Sequence, residues 1–356
     1  MNSALCPLRI GIIGAGGITK KRHLPGFKAL PGVELVAVCN RSEASSSAVA
    51  KEWGFQRIAG SPGEILAAPD VDAVVIGTWP YLHHTLSVAA LRAGKHVFTQ
   101  ARMARNLAEA KQMLCEARKH PRLVSMICPS PYAMGCTLFV RKLLDEGFVG
   151  KVRLLRFHSL NAALASSSKP ILWRQQARFS GVNTLGLGII LERLMQWVGP
   201  VTRVRADGVI FTPWRKDAEG RRARVETFDQ LQVLARLRDH PGQMELSFSG
   251  AVHHGPREEV AIYGDAGTLV VDLSNNTVRG ARAGKKELRL LPVPTKLARD
   301  WTVEADFVDA IRAGGRTKLS KERTAFFSPD FAEGVRYMAV TEAVVRAAKS
   351  GKEQRV

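Results

Sequence analysis

With 356 residues, 46% of them hydrophobic and 24% charged, the chain can bury the cores of two domains and has the composition of an ordinary globular enzyme. No apolar run approaches the roughly 20 residues that a membrane span requires, and Met1 to Arg9 lacks a basic segment followed by an apolar stretch, so a cytoplasmic protein with no membrane partner is expected. The formal charge of +20 permits nucleic acid or an acidic surface as partner. The basic residues, however, are spread over the whole chain, and their densest patch, Arg215 to Arg238, is interleaved with Asp and Glu and carries no aromatic stacking pattern. Nucleic acid is therefore disfavoured, while an anionic substrate stays open. The five cysteines, Cys6, Cys39, Cys115, Cys128 and Cys136, are odd in number and include no C-x-x-C pair, which argues against a disulfide framework or a zinc site. No metal ligand is assigned.

Ile10 to Thr19 reads Ile-Gly-Ile-Ile-Gly-Ala-Gly-Gly-Ile-Thr: a short apolar run ends in closely spaced glycines and leads into Lys20 to Leu30, which can be helical up to Pro25 and irregular around it. This pattern is the first strand, turn and helix of a dinucleotide-binding domain. Gly14 lets the strand turn sharply, Gly16 removes the side chain that would hold a pyrophosphate off the backbone, and the free N–H groups at the helix start, around Gly17 and Ile18, favour phosphate charge. Thr19 stands where the fingerprint has its third glycine.

Val33 to Asn40 reads as a second buried strand and Arg41 to Trp53 as a helix, whose Ser45-Ser46-Ser47 run is assigned no function. Val71 to Thr78 is a strand, Thr85 to Ala93 a helix, and His96 to Thr99 a strand reached through Gly94. Asn106 caps a helix over Leu107 to Lys119, and Leu123 to Cys128 closes the half. This alternation predicts an α/β fold with an N-terminal Rossmann doubly wound parallel sheet over residues 1–128, its ligand at the carboxyl ends of the strands.

From Pro129 the pattern changes. Helical segments over Cys136 to Glu146 and Thr184 to Val198 accompany strands at Val152 to His158, Val201 to Phe211, Thr227 to Arg238, Gln243 to Gly250, Val260 to Gly264 and Thr268 to Leu273, with hairpin punctuation at Asp239 to Gly242 and Gly264 to Gly267. Two helices, Thr302 to Ala313 and Pro329 to Ser350, end the chain. Residues 129–356 are thus expected to form a C-terminal α/β domain with an open, mostly antiparallel sheet, flat on one face and with helices on the other.

Five stretches in this order carry a resemblance: Gly11 to Ile18, Thr78-Trp79-Pro80-Tyr81-Leu82-His83, Ala93-Gly94-Lys95-His96-Val97, Gly264 to Asp272, and Phe307 to Ile311 with Ser328-Pro329-Asp330. The sequence resembles the glucose-fructose oxidoreductase and inositol dehydrogenase family (Gfo/Idh/MocA) over nearly its whole length. The resemblance implies a bound NAD or NADP, sugars, cyclitols or their derivatives as substrates, and a C-terminal sheet that often forms a homo-oligomer interface. It fails where the chemistry should be. Family members usually carry Glu-Lys-Pro after the Gly-Lys-His-Val stretch, the lysine assisting proton transfer, whereas this chain has Gln100-Ala101-Arg102. The second signature, Asp-x-Gly-x-His-x-x-Asp, becomes Gly186, Ile190 and Arg193 when anchored on Gly188, or Ile189 and Glu192 when anchored on Trp197-Val198-Gly199. Either way the usual acid–base pair is gone.

For the cofactor, the expected contacts are Gly14, Gly16, Gly17, Ile18, Thr78, Trp79, His83 and Gln100, with Asn40 and Arg41 at the end of the second strand. That place, roughly twenty residues past the glycine turn, normally holds an acidic residue on the ribose of NAD. Asn40 can accept from ribose without repelling a 2′-phosphate, and Arg41 can stack on adenine or pair with that phosphate, so the reading leans to NADP without excluding NAD. Glu192, among Ile189, Leu191 and Met195, is a candidate to take the hydroxyl proton, against the alternative of a solvated helix carboxylate. Arg102, which cannot act as a base, is a candidate to hold an anion or an oxyanion, and Arg193 could do the same under the first register. Tyr132 carries a phenol able to donate a proton within what reads as a domain-junction turn, and Trp173-Arg174 matches a family stretch beside the active site. Three readings remain: an NAD(P)-dependent oxidoreductase on a carbohydrate-like small molecule with a non-standard acid–base arrangement, a cofactor-binding pseudoenzyme or sensor, or a sugar lyase or epimerase using the cofactor transiently.

Overall fold

The computed structural model describes residues 6–256, 258–314 and 329–356; Ser328 of the last family stretch lies outside them. The chain divides into two units: Met1–Pro129 with Thr302–Val335, and Ser130–Trp301 with Arg336–Val356. Residues 129–356 therefore do not make one continuous C-terminal domain. The chain leaves the first unit after Pro129 and comes back to it at Thr302.

The first unit holds six strands: β1 (Leu8–Ile13), β2 (Val33–Cys39), β3 (Arg57–Ile58), β4 (Ala73–Ile76), β5 (His96–Thr99) and β6 (Ser125–Ile127). They lie in the order β3-β2-β1-β4-β5-β6, and every pair is parallel. All four residues of β4 are fully buried, as they must be in a parallel sheet covered on both faces. β3 and the short helix after it (Pro62–Ala67) were not foreseen, since two residues of strand and six of helix carry no readable period.

Between these strands run helices whose ends follow capping chemistry. Numbered with Pro62–Ala67 as α3, they are α1 (Leu24–Lys28), α2 (Glu43–Trp53), α4 (Pro80–Arg92) and α5 (Leu107–Lys119). Ser42 caps α2 through Ser45 N–H, and Gly54 at φ 76° ends it. Asn106 Oδ1 accepts Glu109 N–H at 2.9 Å and starts α5 where expected. Before α1 the chain makes a wide π-helical turn, Thr19–His23, in which Leu24 N–H reaches back to Thr19 C=O. It lies directly ahead of Pro25, whose ring crowds and whose missing N–H breaks an ordinary α-turn. The helix consequently passes through Pro25 instead of stopping there.

The second unit is built on a nine-stranded sheet. Its strands are β7 (Val152–Leu160), β8 (Val201–Val209), β11 (Gln230–Leu237), β12 (Gln243–Ser249), β13 (Glu259–Gly264), β14 (Gly267–Asp272), β15 (Thr277–Arg282), β16 (Arg289–Leu291) and β17 (Gln354–Arg355), while β9 (Trp214–Lys216) and β10 (Arg222–Arg224) form a separate hairpin. The order is β16-β15-β14-β13-β7-β12-β11-β8-β17, antiparallel throughout except for the parallel β7–β12 pair. One face is buried. Along β11, Leu231, Val233, Ala235 and Leu237 point in, while Gln232, Leu234 and Arg236 stay exposed. The exposed face carries ion pairs such as Arg156–Glu245 at 2.7 Å and Arg279–Glu259 at 2.9 Å. Helices α6 (Thr137–Asp145), α7 (Ala177–Ser180) and α8 (Leu187–Val198) lie in the connections of this unit, α6 packing against α8.

The returning segment is anchored by α9 (Val303–Arg312), whose Val303, Phe307 and Val308 are buried. Phe307 stacks at 5.5 Å on Phe98 of β5 and at 6.3 Å on Phe27 of α1. The last helix, α10 (Phe331–Ser350), starts in the first unit, with Phe331 fully buried and Asp330 bridged to Met126 of β6. Phe307→Ala should therefore cost about 3–5 kcal/mol in urea unfolding, the range for an aromatic removed from a packed core. A loss below about 1 kcal/mol would mean that α9 is not part of this core.

Candidate functional site

In the first unit the strand ladder runs one residue past β1, β4 and β5, so that their ends line up. Gly14 N–H bonds Cys39 C=O at 2.8 Å, Gly77 N–H bonds Ile13 C=O at 2.8 Å, and Gln100 N–H bonds Ile76 C=O at 3.0 Å. Gly14, Asn40, Thr78 and Gln100 thus share the carboxyl edge of the sheet, where an open α/β sheet presents its ligand residues.

Gly14 sits at φ 88°, and a Cβ there would come within 2.8 Å of the Thr78 backbone nitrogen, so no other residue fits. Gly16 and Gly17 are exposed, and a Cβ on Gly17 would meet nothing within 4 Å. Their bareness is not needed for packing. It leaves the backbone uncovered where the helical run begins at Gly17, just ahead of the wide turn from Thr19, which no side chain caps. Ile18 is 53% exposed beside them. Thr19 is buried and donates from Oγ1 to Gly14 C=O at 3.2 Å, which locks the turn from below. The replacement of the third fingerprint glycine is thereby explained.

Asn40 does different work from that expected. Its Oδ1 accepts Ala15 N–H at 2.7 Å, and its Nδ2 donates to Ser45 Oγ at 3.0 Å, so the side chain braces the glycine turn against the end of β2. Ser46 Oγ adds a bond from Asn40 N–H at 2.9 Å. The serine run that was assigned no function is what holds Asn40. Arg41, next in the chain, is exposed.

His83, expected among the cofactor contacts, has a fully buried ring, with Nδ1 at 2.9 Å from Arg102 C=O and Nε2 at 3.0 Å from Thr78 C=O. Burial pushes its pKa below the usual histidine value, against the two carbonyls, which pull it up. It clamps the turn after β4 to the turn after β5. Thr78 and Trp79 are half-buried on that turn, and Arg102 is 7% exposed, almost wholly enclosed by protein instead of offered to an anion.

Gln100 is half-buried, and its side-chain Nε2 meets His23 Nε2, while His23 Nδ1 lies 2.5 Å from Glu304 Oε1 on α9. Nothing in the sequence pattern brought His23 or Glu304 forward, because they are 281 positions apart.

In the second unit both readings of the α8 signature end in structural duty. Glu192 is 1% exposed, not a solvated carboxylate, and accepts Ser130 N–H at 2.8 Å. Arg193 is fully buried and donates to Ser130 C=O at 2.9 Å, Tyr132 C=O at 3.0 Å, Thr137 Oγ1 at 2.9 Å and Gln196 Oε1 at 2.8 Å. Burial lowers its pKa to about 10, still charged at neutral pH. Together they pin Ser130 to Tyr132 onto α8. Ile190 is buried core. Tyr132 Oη donates to Glu258 Oε1 at 3.3 Å, Ser159 Oγ donates to the same oxygen at 2.5 Å, and a Cβ on Gly186 would point to within 3.7 Å of Tyr132 Oη. Glu258 was not foreseen, since only the fold carries it to Tyr132. Arg174 lies over the Trp173 ring at 4.3 Å. Among the described residues no cluster of metal-ligating side chains occurs, and no helix is long and apolar enough to cross a membrane.

Residues 8–127 match the family model for the oxidoreductase family with an NAD-binding Rossmann fold, and residues 137–270 match the model for the GFO/IDH/MocA C-terminal domain. The chain belongs to the GFO/IDH/MocA oxidoreductase family. Among its relatives, levoglucosan dehydrogenase of Pseudarthrobacter phenanthrenivorans is 25% identical with 96% of each chain covered. The dTDP-3,4-didehydro-2,6-dideoxy-alpha-D-glucose 3-reductase of Streptomyces violaceoruber is 32% identical over 56% of each. A solved structure of levoglucosan dehydrogenase in complex with NADH and L-sorbose shares the fold, with a TM-score of 0.86 at 21% identity and 99% of each chain covered.

Gly14→Ala should abolish dinucleotide binding, checked by calorimetric titration, since it forces backbone against backbone at Thr78; retained affinity would contradict the cradle. A separate outcome concerns pH. His83 is held below the usual histidine pKa, as is His96, again by burial, so the unfolded chain binds protons that the folded chain refuses. Stability present above about pH 6.5 should be lost as the pH falls through the lower folded-state values. The thermal midpoint should drop from pH 7.5 to 5, and His83→Gln should lessen that drop; an unchanged slope would contradict it.

Proposed function

We propose that this chain is an NAD(P)-dependent oxidoreductase that moves a hydride between a nicotinamide cofactor and a hydroxyl or carbonyl carbon of a sugar, cyclitol or related small molecule. The observation that carries this reading is the bare, uncapped helix start at Gly16 and Gly17, set at the carboxyl edge of a parallel sheet with the order β3-β2-β1-β4-β5-β6. When bound, the cofactor supplies the hydride or takes it. Gly14 to Ile18 would hold its pyrophosphate, and Thr78, Trp79 and Gln100 the nicotinamide side. The sugar class is argued by analogy with relatives whose names specify levoglucosan and a deoxysugar nucleotide.

The lean is to NADP. Asn40 and Arg41, neither of them acidic, follow the last residue of β2, and Arg41 is exposed there. NADPH should bind more tightly than NADH, and Arg41→Ala should weaken NADPH roughly tenfold, the worth of about one charge-assisted hydrogen bond, with little effect on NADH. Tighter NADH binding by titration would reverse the assignment.

Proton transfer is assigned to Tyr132 and Glu258 in place of Glu192. Glu192 is committed to the Ser130 amide, whereas the Tyr132 phenol already donates to a carboxylate, and its oxygen stands next to the position where the family pattern has an aspartate. In the reducing direction Tyr132 would turn its O–H from Glu258 to the substrate and give that proton to the carbonyl oxygen, and solvent would restore the phenol. Tyr132→Phe should cut turnover by about a hundred- to ten-thousand-fold with cofactor affinity unchanged, measured on sugars and cyclitols by cofactor absorbance. A fully active Tyr132→Phe would remove Tyr132 from the chemistry. Tight cofactor binding with no turnover on any sugar or cyclitol would favour a sensor instead, a reading supported by Ala101 and Ile190 at the usual lysine and histidine positions.

A further inference from the structure

Glu304, His23 and Gln100 form a hydrogen-bonded chain inside the first unit that no step above uses. His23 is fully buried and Glu304 is 2% exposed. The imidazole is held edge-on against Phe98 at 5.0 Å, next to the Phe27, Phe98 and Phe307 cluster. A histidine and a glutamate are rarely both enclosed this way unless each satisfies the other. Here His23 Nδ1 meets Glu304 Oε1 at 2.5 Å, and His23 Nε2 meets the side-chain nitrogen of Gln100. Gln100 itself stands at the end of β5, fixed by its own N–H on Ile76 C=O, on the edge where the glycine turn lies.

The chemistry of the three groups sets one direction. An ionised carboxylate only accepts, so the nitrogen facing Glu304 carries the proton. The NH2 of Gln100 only donates, so the Nε2 that it meets offers its lone pair. With its nitrogen turned inward to His23, the Gln100 amide directs its carbonyl oxygen away from the imidazole. Glutamine alone has no preference between its two ends; the neighbours choose.

We infer that Glu304 and His23 are positioning residues that hold the Gln100 amide with its carbonyl oxygen presented as an acceptor to a hydrogen-bond donor on the nicotinamide half of the cofactor, a ribose hydroxyl or the carboxamide NH2. The inference rests on the dinucleotide reading of this edge. It also accounts for the return of the chain at Thr302: α9 brings, besides Phe307, the carboxylate that sets the direction of the chain. Gly26 fits this purpose, since a Cβ there would come within 2.6 Å of Glu304 Oε2 and push the carboxylate off His23.

The direct test is nitrogen NMR of the folded protein with labelled histidine, the His23 signals being assigned by their loss in His23→Asn. At pH 7.5 one proton is expected, on Nδ1, with Nε2 unprotonated. A proton on Nε2, or on both nitrogens, overturns the inference. This readout needs no cofactor. The second arm is a double-mutant cycle on NADH and NADPH affinity, with melting temperatures recorded alongside. Gln100→Leu and Glu304→Gln should each weaken binding roughly three- to tenfold, the worth of one hydrogen bond, and the double variant should be no weaker than Gln100→Leu alone. Losses that multiply mean that Glu304 does not act through Gln100, and they overturn the inference. If neither cofactor binds the wild-type protein while the expected tautomer is found, the dinucleotide reading falls and the role of Gln100 with it, leaving only a buried structural chain.

Discussion

The carboxyl edge of the parallel sheet depends on one close approach, that of Gly14 to the Gly77-Thr78 turn. β1 and β4 are neighbours, and both chains turn away from the sheet at the same level, so the two turns must pass with no side chain between them. Gly14 at φ 88° supplies the bend, Thr19 ties Gly14 C=O from the next element, and Asn40 ties Ala15 N–H from β2. Two strands and the helical turn that follows thereby fix one loop. What the loop leaves bare, at Gly16 and Gly17, is rigidly placed backbone facing outward, which is the condition for holding an anion without rearrangement.

Much of this was legible in the sequence, for physical reasons that can be named. Buried parallel strands read as apolar runs because both faces are covered, so β1, β2, β4 and β5 were each located. Asn106 announced α5 because a cap needs a short acceptor before the first turn. In the second unit, long alternating strands showed themselves, whereas β15, β16 and the β9–β10 hairpin, polar or short, did not. The parallel β7–β12 pair was also invisible, since strand order is a property of the whole sheet and not of any one strand.

The candidate site was legible only where backbone makes it. The glycines were identified from their spacing. Side chains have distant partners that the pattern does not name: His83 meets two carbonyls, Asn40 the glycine turn, and Glu192 and Arg193 the Ser130 to Tyr132 turn. Glu258 and Glu304 gave no signal at all, because their importance comes from Tyr132 and His23, far away in the chain. A buried polar residue must be satisfied, and sequence does not say by whom.

The central claim is that the backbone from Gly14 to Lys20 binds the diphosphate of a nicotinamide dinucleotide. Amide hydrogen exchange of the wild-type protein, with and without saturating NADPH or NADH, tests it most directly. Slowed exchange concentrated in Gly14–Lys20 and the end of β2 is the expected result. Unchanged exchange there at millimolar concentration of both nucleotides, or protection confined to the second unit, would contradict it.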